Sequence, residues 1–128
     1  MSVGKQRAWD LEDRLVRLGA AASKIAGGLP SSRVGTHISS QLMRCGMAPA
    51  PNYAEACTSE SRRDFIHKLK ICLKELRETL VWLKYLRELG MGPREKLDQT
   101  IQEADELTAI FVVSIATARK NDQKPTKK

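Results

Sequence analysis

Aromatic residues are scarce in this chain, at 5% of the sequence, and hydrophobic residues as a whole make up 41%. The core must therefore be built mainly from Leu, Ile, Val and Ala. No apolar run approaches the ~18 residues that a membrane-spanning helix requires. Acids also interrupt the apolar pattern near the N-terminus, which is unlike a signal peptide. We expect a cytoplasmic protein with no membrane contact.

Cysteine and histidine are too few and too scattered to predict a metal or redox site. Cys45, Cys57 and Cys72 show no Cys-x-x-Cys spacing, which predicts reduced and mostly buried thiols. His37 and His67 lack the neighbouring ligands of a metal site in a helical bundle. The sequence also has no glycine-rich phosphate loop and no Ser-His-acid motif. We expect no catalytic residues, no metal and no cofactor, and therefore a protein that is not an enzyme.

The positive charge of the chain is concentrated at its C-terminus. The net charge is +7, and the segment from Arg119 to Lys128 holds five basic residues and one acid. More than half of the excess thus lies in a proline-containing tail, which we predict to be disordered over residues 120–128. Attraction to phosphates and improved solubility both explain such a tail. Residues 1–119 are predicted to form one domain.

Apolar residues recur every three and four positions in four segments, which is the spacing of helices packed almost parallel to their neighbours. We predict helices at about 5–28, 32–57, 60–89 and 93–119. Their short connections favour an all-α fold, an up-down-up-down antiparallel four-helix bundle. The apolar seams are, in chain order, Leu11, Leu15, Leu18, Ala22, Ile25 and Leu29; Val34, Ile38, Leu42 (or Gln41) and Cys45; Phe65, Leu69, Cys72, Leu76, Thr79, Leu83 and Leu86; Leu97, Ile101, Ala104, Thr108, Phe111, Ile115 and Ala118.

Two prolines, Pro49 and Pro51, lie inside the second predicted helix. A proline within a helix removes a hydrogen bond and clashes with the preceding turn, so we predict a kink at this corner. Asn52 and Glu55 follow it, where freed backbone groups need partners. A ligand site is the alternative, but the structural role is favoured, with Glu55 paired to Arg44, Arg62 or Arg63.

The third and fourth helices carry more apolar residues than one seam needs. An exposed continuous apolar surface usually marks an interface, so this surplus predicts self-association. A broad contact within the core is the alternative. The candidate interface residues are Leu80, Trp82, Tyr85, Ile110, Val112 and Val113.

Basic residues around the third helix are the candidates for contact with nucleic-acid phosphates. They are Arg44, Arg62, Arg63, Lys68, Lys70 and Lys74. Acids lie among them, so a solvated helix face with weak ion pairs is the alternative. No interleaved aromatic pattern among them suggests stacking on bases, which disfavours sequence-specific readout of a single strand.

Three segments carry a resemblance to a known family: "SQLMR" at 40–44, "APNYAEA" at 50–56 and "SRRDFIHKLKICLKEL" at 61–76. The chain resembles the bacterial four-helix bundle proteins encoded in intervening sequences of large-subunit ribosomal RNA genes. It departs from their pattern at Met43 and Ala56 and in a shifted, doubled proline.

The resemblance implies a fold, an assembly and a set of partners. The family is similar to the accessory variability protein of diversity-generating retroelements, a ring of five bundles that engages RNA and a reverse transcriptase. It implies a homopentamer here, with RNA or DNA and a reverse transcriptase or other protein as candidate partners. No enzymatic activity is associated with the family. We expect a non-enzymatic oligomeric scaffold or accessory protein that binds nucleic acid; the alternative is a protein-interaction module with no nucleic-acid role.

Overall fold

The computed structural model describes residues 3–122, with side chains from residue 10 onward, and this part of the chain contains helices and no strands. The prediction of an all-α fold is confirmed. The helices are α1 (Val3–Gly27), α2 (Arg33–Met47), α3 (Pro49–Cys57), α4 (Arg62–Leu89) and α5 (Arg94–Asp122).

The helices form the predicted antiparallel bundle, in which α2 and α3 together make up the second member. The first member, α1, packs against α2 and α3 on one side and against α5 on the other. The long helix α4 packs against the same neighbours from across the bundle, so α1 and α4 lie on a diagonal. Arg14 of α1 donates two hydrogen bonds to the Glu103 carboxylate of α5 and ties these two helices together.

Side-chain caps and one glycine explain where the helices begin and end. The Ser32 hydroxyl accepts a hydrogen bond from the Gly35 N–H at 3.0 Å, and Ser61 accepts one from the Asp64 N–H at 3.1 Å. Gly90 ends α4 with a φ of +67°, a conformation that glycine adopts without steric cost.

The last helix extends further than the sequence predicted. It continues to Asp122, so residues 120–122 are helical and do not belong to a disordered tail. The rest of the predicted tail, residues 123–128, lies outside the described residues.

The core consists of two apolar clusters stacked along the bundle, and aliphatic residues dominate both, as predicted. One of the predicted seam residues is exposed. Val34, in the first turn of α2, is 50% exposed and lines a surface cavity with Trp82. The first cluster contains Leu15, Leu18, Tyr53, Ala56, Leu69, Cys72, Leu76, Leu80, Ala104, Leu107, Phe111 and Ile115. The second contains Ala22, Ile25, Ala26, Ile38, Leu42, Leu83, Leu86 and Leu97.

Small residues allow α1 and α2 to approach each other closely. A Cβ atom on Gly46 would lie 2.8 Å from the Cβ of Ala22, and a Cβ on Gly19 would lie 3.0 Å from the Gly46 carbonyl oxygen. At this distance the Ser39 hydroxyl reaches across and donates to the Ala26 carbonyl at 2.9 Å. The packing of α2 against α1 therefore depends on the absence of a side chain at Gly46.

Replacing Gly46 with alanine should destabilise the bundle although alanine is the better helix former. We expect Gly46→Ala to lower the free energy of unfolding by about 1–2 kcal/mol, because overpacking against the rigid Ala22 Cβ outweighs a helix-propensity gain of about 1 kcal/mol. Urea unfolding followed by circular dichroism measures the change.

Gly27 provides the matched control, since a Cβ there would meet nothing within 4 Å. Gly27→Ala should leave the stability unchanged or raise it by up to about 1 kcal/mol. In the double variant Ala22→Gly/Gly46→Ala, the two changes should cost less together than the sum of their separate costs. Strict additivity would contradict the contact.

Candidate nucleic-acid interface

The corner between α2 and α3 is a kink in one continuous path. Ala48 joins the two helices with right-handed helical angles, φ −77° and ψ −37°, and Pro49 opens α3 directly after it. The Asn52 side-chain amide donates to the Ala48 carbonyl oxygen at 2.9 Å. This bond gives the Ala48 carbonyl oxygen a hydrogen-bond partner at the break between the two helices, so Asn52 has a structural role.

Glu55 does not pair with any of the arginines proposed from the sequence. Its carboxylate lies 3.5 Å from the Lys68 ammonium, because α3 packs beside the part of α4 that carries Lys68. The Glu55 carbonyl oxygen also accepts the hydroxyl groups of Thr58 and Ser59 at the end of α3. Lys68 is therefore engaged within the fold, although this partly exposed ion pair contributes little to stability.

Arg44 is also not a free cation. Its guanidinium donates to Glu75 at 3.1 Å and to the carboxylate of Glu78, both on α4. The Glu75 side chain is only 9% exposed, and this ion pair satisfies its buried carboxylate. Arg44 thus joins α2 to α4, and two carboxylates already offset its charge.

The remaining candidates lie on the solvent side of α4. Arg62, Arg63, Lys70 and Lys74 are exposed, and none forms an ion pair with the side chains that the structure describes. Arg77 and Lys84, which were not among the candidates from the sequence, are also exposed and form no ion pair with the described side chains. We define the basic row as the five residues that extend along this side of the helix: Arg63, Lys70, Lys74, Arg77 and Lys84.

A seven-residue interval was the overlooked signal for the basic row. Arg63, Lys70, Arg77 and Lys84 follow one another at this spacing, and seven residues bring a helix back to almost the same side. The acids between them project elsewhere, since Glu75 and Glu78 bind Arg44. Two acids of α4 remain exposed near its ends, Asp64 and Glu88.

An aromatic cavity lies between α2 and the C-terminal half of α4. Trp82 contacts the His37 ring edge-on, with ring centres 5.7 Å apart, and the Tyr85 ring at 5.6 Å. Tyr85 lies eleven residues beyond Lys74, the last of the basic candidates from the sequence, so the expectation about those candidates stays a prediction. The lining residues are Arg33, Val34, His37, Ile38, Trp82, Tyr85 and Leu89.

The apolar surface proposed for self-association does not form one patch. Leu80 is 7% exposed and belongs to the first core cluster, and Ile110 packs partly buried against the same cluster. Trp82 packs against the second cluster, nearer the other end of the bundle. Two separate exposed parts remain: Val112 with Val113 on α5, and Trp82 with Tyr85 on α4.

The thiols do not form a reactive site. Burial raises the pKa of the Cys72 thiol to about 12, and this thiol donates to the Pro49 carbonyl oxygen at 3.5 Å. Burial also raises the pKa of Cys45, whereas Cys57 is exposed. All three cysteines are free, and residues 3–122 hold no cluster of His, Cys, Asp and Glu that could bind a metal ion. In the same range, no helix combines the length and apolarity needed to cross a membrane.

The family profile of 23S rRNA-intervening sequence proteins matches residues 10–112, which include all of α2, α3 and α4 and most of α1 and α5. The chain belongs to this family. A solved structure supports the assignment: a protein of unknown function from the S23 ribosomal protein family of Bacteroides thetaiotaomicron. Its TM-score is 0.77 at 27% sequence identity, covering 85% of this chain and 97% of that one. No curated protein sequence matches the chain.

Removing Arg44 should affect stability, whereas removing a member of the basic row should not. We expect Arg44→Met to lower the free energy of unfolding by about 1–2 kcal/mol, because it leaves the buried Glu75 carboxylate without its arginine. Arg63→Met, an equal change at an exposed and unpaired position, should stay within about 0.5 kcal/mol of the unchanged protein.

Chemical denaturation of both variants measures the difference. Adding Glu75→Gln to Arg44→Met should recover part of the loss, since a neutral amide is less costly to bury than a lone carboxylate. Equal costs for the two single variants would contradict the structural role of Arg44.

Proposed function

We propose that this protein is a non-enzymatic accessory protein that binds nucleic acid through the basic row on α4. One observation carries the proposal: the acids in the middle of α4 turn toward α2 and bind Arg44, while five basic side chains share the solvent side. A face of this kind attracts phosphates and does not neutralise itself.

The geometry of the basic row suits a phosphate backbone. From Arg63 to Lys84 the row extends about 31 Å along one straight helix, given a rise of about 1.5 Å per residue. Contacts of this type position a nucleic acid without reading its sequence. We propose RNA as the ligand by analogy with the accessory variability protein, which the family resembles and which engages RNA.

A protein-interaction module without a nucleic-acid role is the competing function. It would use the exposed apolar residues rather than the basic row, with a reverse transcriptase or another protein as the partner. The two functions differ in their response to salt, because phosphate binding releases counterions and weakens steeply as salt rises.

Reversing two charges of the basic row should therefore weaken binding and reduce its salt dependence. We expect Lys70→Glu/Lys84→Glu to lower the affinity for RNA, and to reduce the slope of log K against log salt by about one for each phosphate that the protein no longer neutralises. Fluorescence anisotropy with a labelled RNA at several salt concentrations measures both quantities.

Lys24→Glu/Lys96→Glu is the matched control. It changes the net charge by the same amount on a different surface, the groove between α1 and α5. This variant should bind RNA much more tightly than the variant of the basic row. Equal losses would show that only net charge matters, and an absence of RNA binding at low salt would contradict the proposal.

We also propose that copies of the chain associate through α5. Val112 and Val113 are adjacent and exposed, and Val113 is 64% exposed, which leaves an apolar patch in contact with water. A ring of five bundles is the assembly that the resemblance implies.

A charge placed in this patch should separate the copies. We expect Val113→Lys to shift the mass measured by light scattering toward that of one chain, 14.3 kDa, with little change in helical content. Gln99→Lys adds the same charge to an exposed position elsewhere on α5 and should leave the assembly unchanged. A single-chain mass for the unchanged protein would contradict self-association.

A further inference from the structure

The aromatic cavity at the end of α4 is an open feature that neither the core nor the basic row explains. Its volume is about 470 Å³, which falls within the usual range for small-molecule pockets. Tyr85 is 53% exposed, although its ring lies against Trp82, and Val34 and Leu89 are about as exposed. Side chains of this size leave an aromatic and aliphatic surface in contact with water.

The polar groups around the cavity favour a flat ligand that carries negative charge. The Trp82 indole N–H already donates to Glu78, so this side chain offers its ring rather than a hydrogen bond. Arg33 and His37 line the cavity, and no carboxylate does. Arginine planes and aromatic rings are the groups on which unpaired bases stack.

The cavity also continues the basic row. Lys74 and Tyr85 are eleven residues apart, and this interval places them on nearly the same side of α4, about 16 Å from each other along the axis. A backbone lying on the basic row therefore leads to the aromatic surface.

We propose that the aromatic cavity binds an unpaired base of a single-stranded nucleic acid whose phosphates lie on the basic row. The inference rests on the proposed function and specifies its ligand. A duplex can contact the row, but its bases are stacked on one another and cannot enter the cavity. The protein should accordingly prefer single-stranded RNA, or a loop, to a duplex of the same length.

Fluorescence of Trp82 gives a direct readout of base stacking. The chain has two tryptophans, so Trp9→Phe leaves Trp82 as the only one. Titration of this full-length variant with oligouridylate should quench the emission as a base stacks in the cavity. A duplex RNA of equal length should bind with little quenching.

Tyr85 allows the contribution of the aromatic ring to be isolated. We expect Tyr85→Leu to weaken oligouridylate binding roughly 5- to 150-fold, the range for one base stacked on an aromatic residue. Duplex affinity should change by less than about twofold. Tyr85→Phe keeps the ring and should retain the affinity for the single strand, and thermal melting checks that both variants are folded.

The possible failures are distinguishable. If both RNAs bind but Tyr85→Leu has no effect and Trp82 is not quenched, the base site is wrong and the basic row stands. If neither RNA binds, the proposed function itself is wrong. If Tyr85→Leu lowers the mass of the assembly while its RNA affinity is unchanged, the cavity is a contact between copies, which overturns the base site.

Discussion

The close contact between Gly46 and Ala22 is the constraint on which the rest of this bundle depends. It brings α2 against α1 with almost no side chain between them, and it determines how α2 is positioned beside α4. Arg44 lies two residues before Gly46 and reaches across to Glu75 and Glu78. The packing of α2 against α1 thus controls which charged side chains of α4 remain in contact with water.

The main consequence of this arrangement is that the central acids of α4 and its exposed bases lie on different sides of the helix. In the sequence its acids and bases alternate, and such a run ordinarily forms weak ion pairs on a solvated face. In the structure Arg44 takes up the central acids, and Lys68 binds Glu55 of α3. The bases that remain form no ion pair within the described part of the bundle, and the exposed acids of α4 are Asp64 and Glu88 near its ends. The same helix therefore packs into the core on one side and exposes a row of basic side chains on the other.

The aromatic cavity and the basic row together suggest a ligand with both flat and charged parts. Trp82 and Tyr85 stay partly exposed because α2 begins only at Arg33, and its first turn covers them incompletely. A cavity and a charged row of this kind can bind a ligand even in a protein whose described residues hold no catalytic cluster.

Much of the fold could be predicted from the sequence because it depends on local periodicity. The spacing of Leu69, Leu76 and Leu83 indicates a helix and its buried side. Pro49 follows fifteen helical residues, and a proline at such an interior position removes a backbone hydrogen bond and forces a kink or a new helix start. Val34 shows the limit of such reasoning: it continues an apolar seam, but no neighbouring helix covers it.

The roles of individual charged residues required the tertiary structure. Nothing in the sequence distinguishes the role of Arg44 from that of Arg63. Arg44 forms a structural ion pair because α2 lies beside α4, whereas Arg63 is exposed and unpaired. The sequence by itself determined the all-helical bundle and its kink, because hydrogen bonding and apolar periodicity act within a few residues. Tertiary structure decided which charges pair and which aromatic rings meet, because those contacts join residues far apart in the chain.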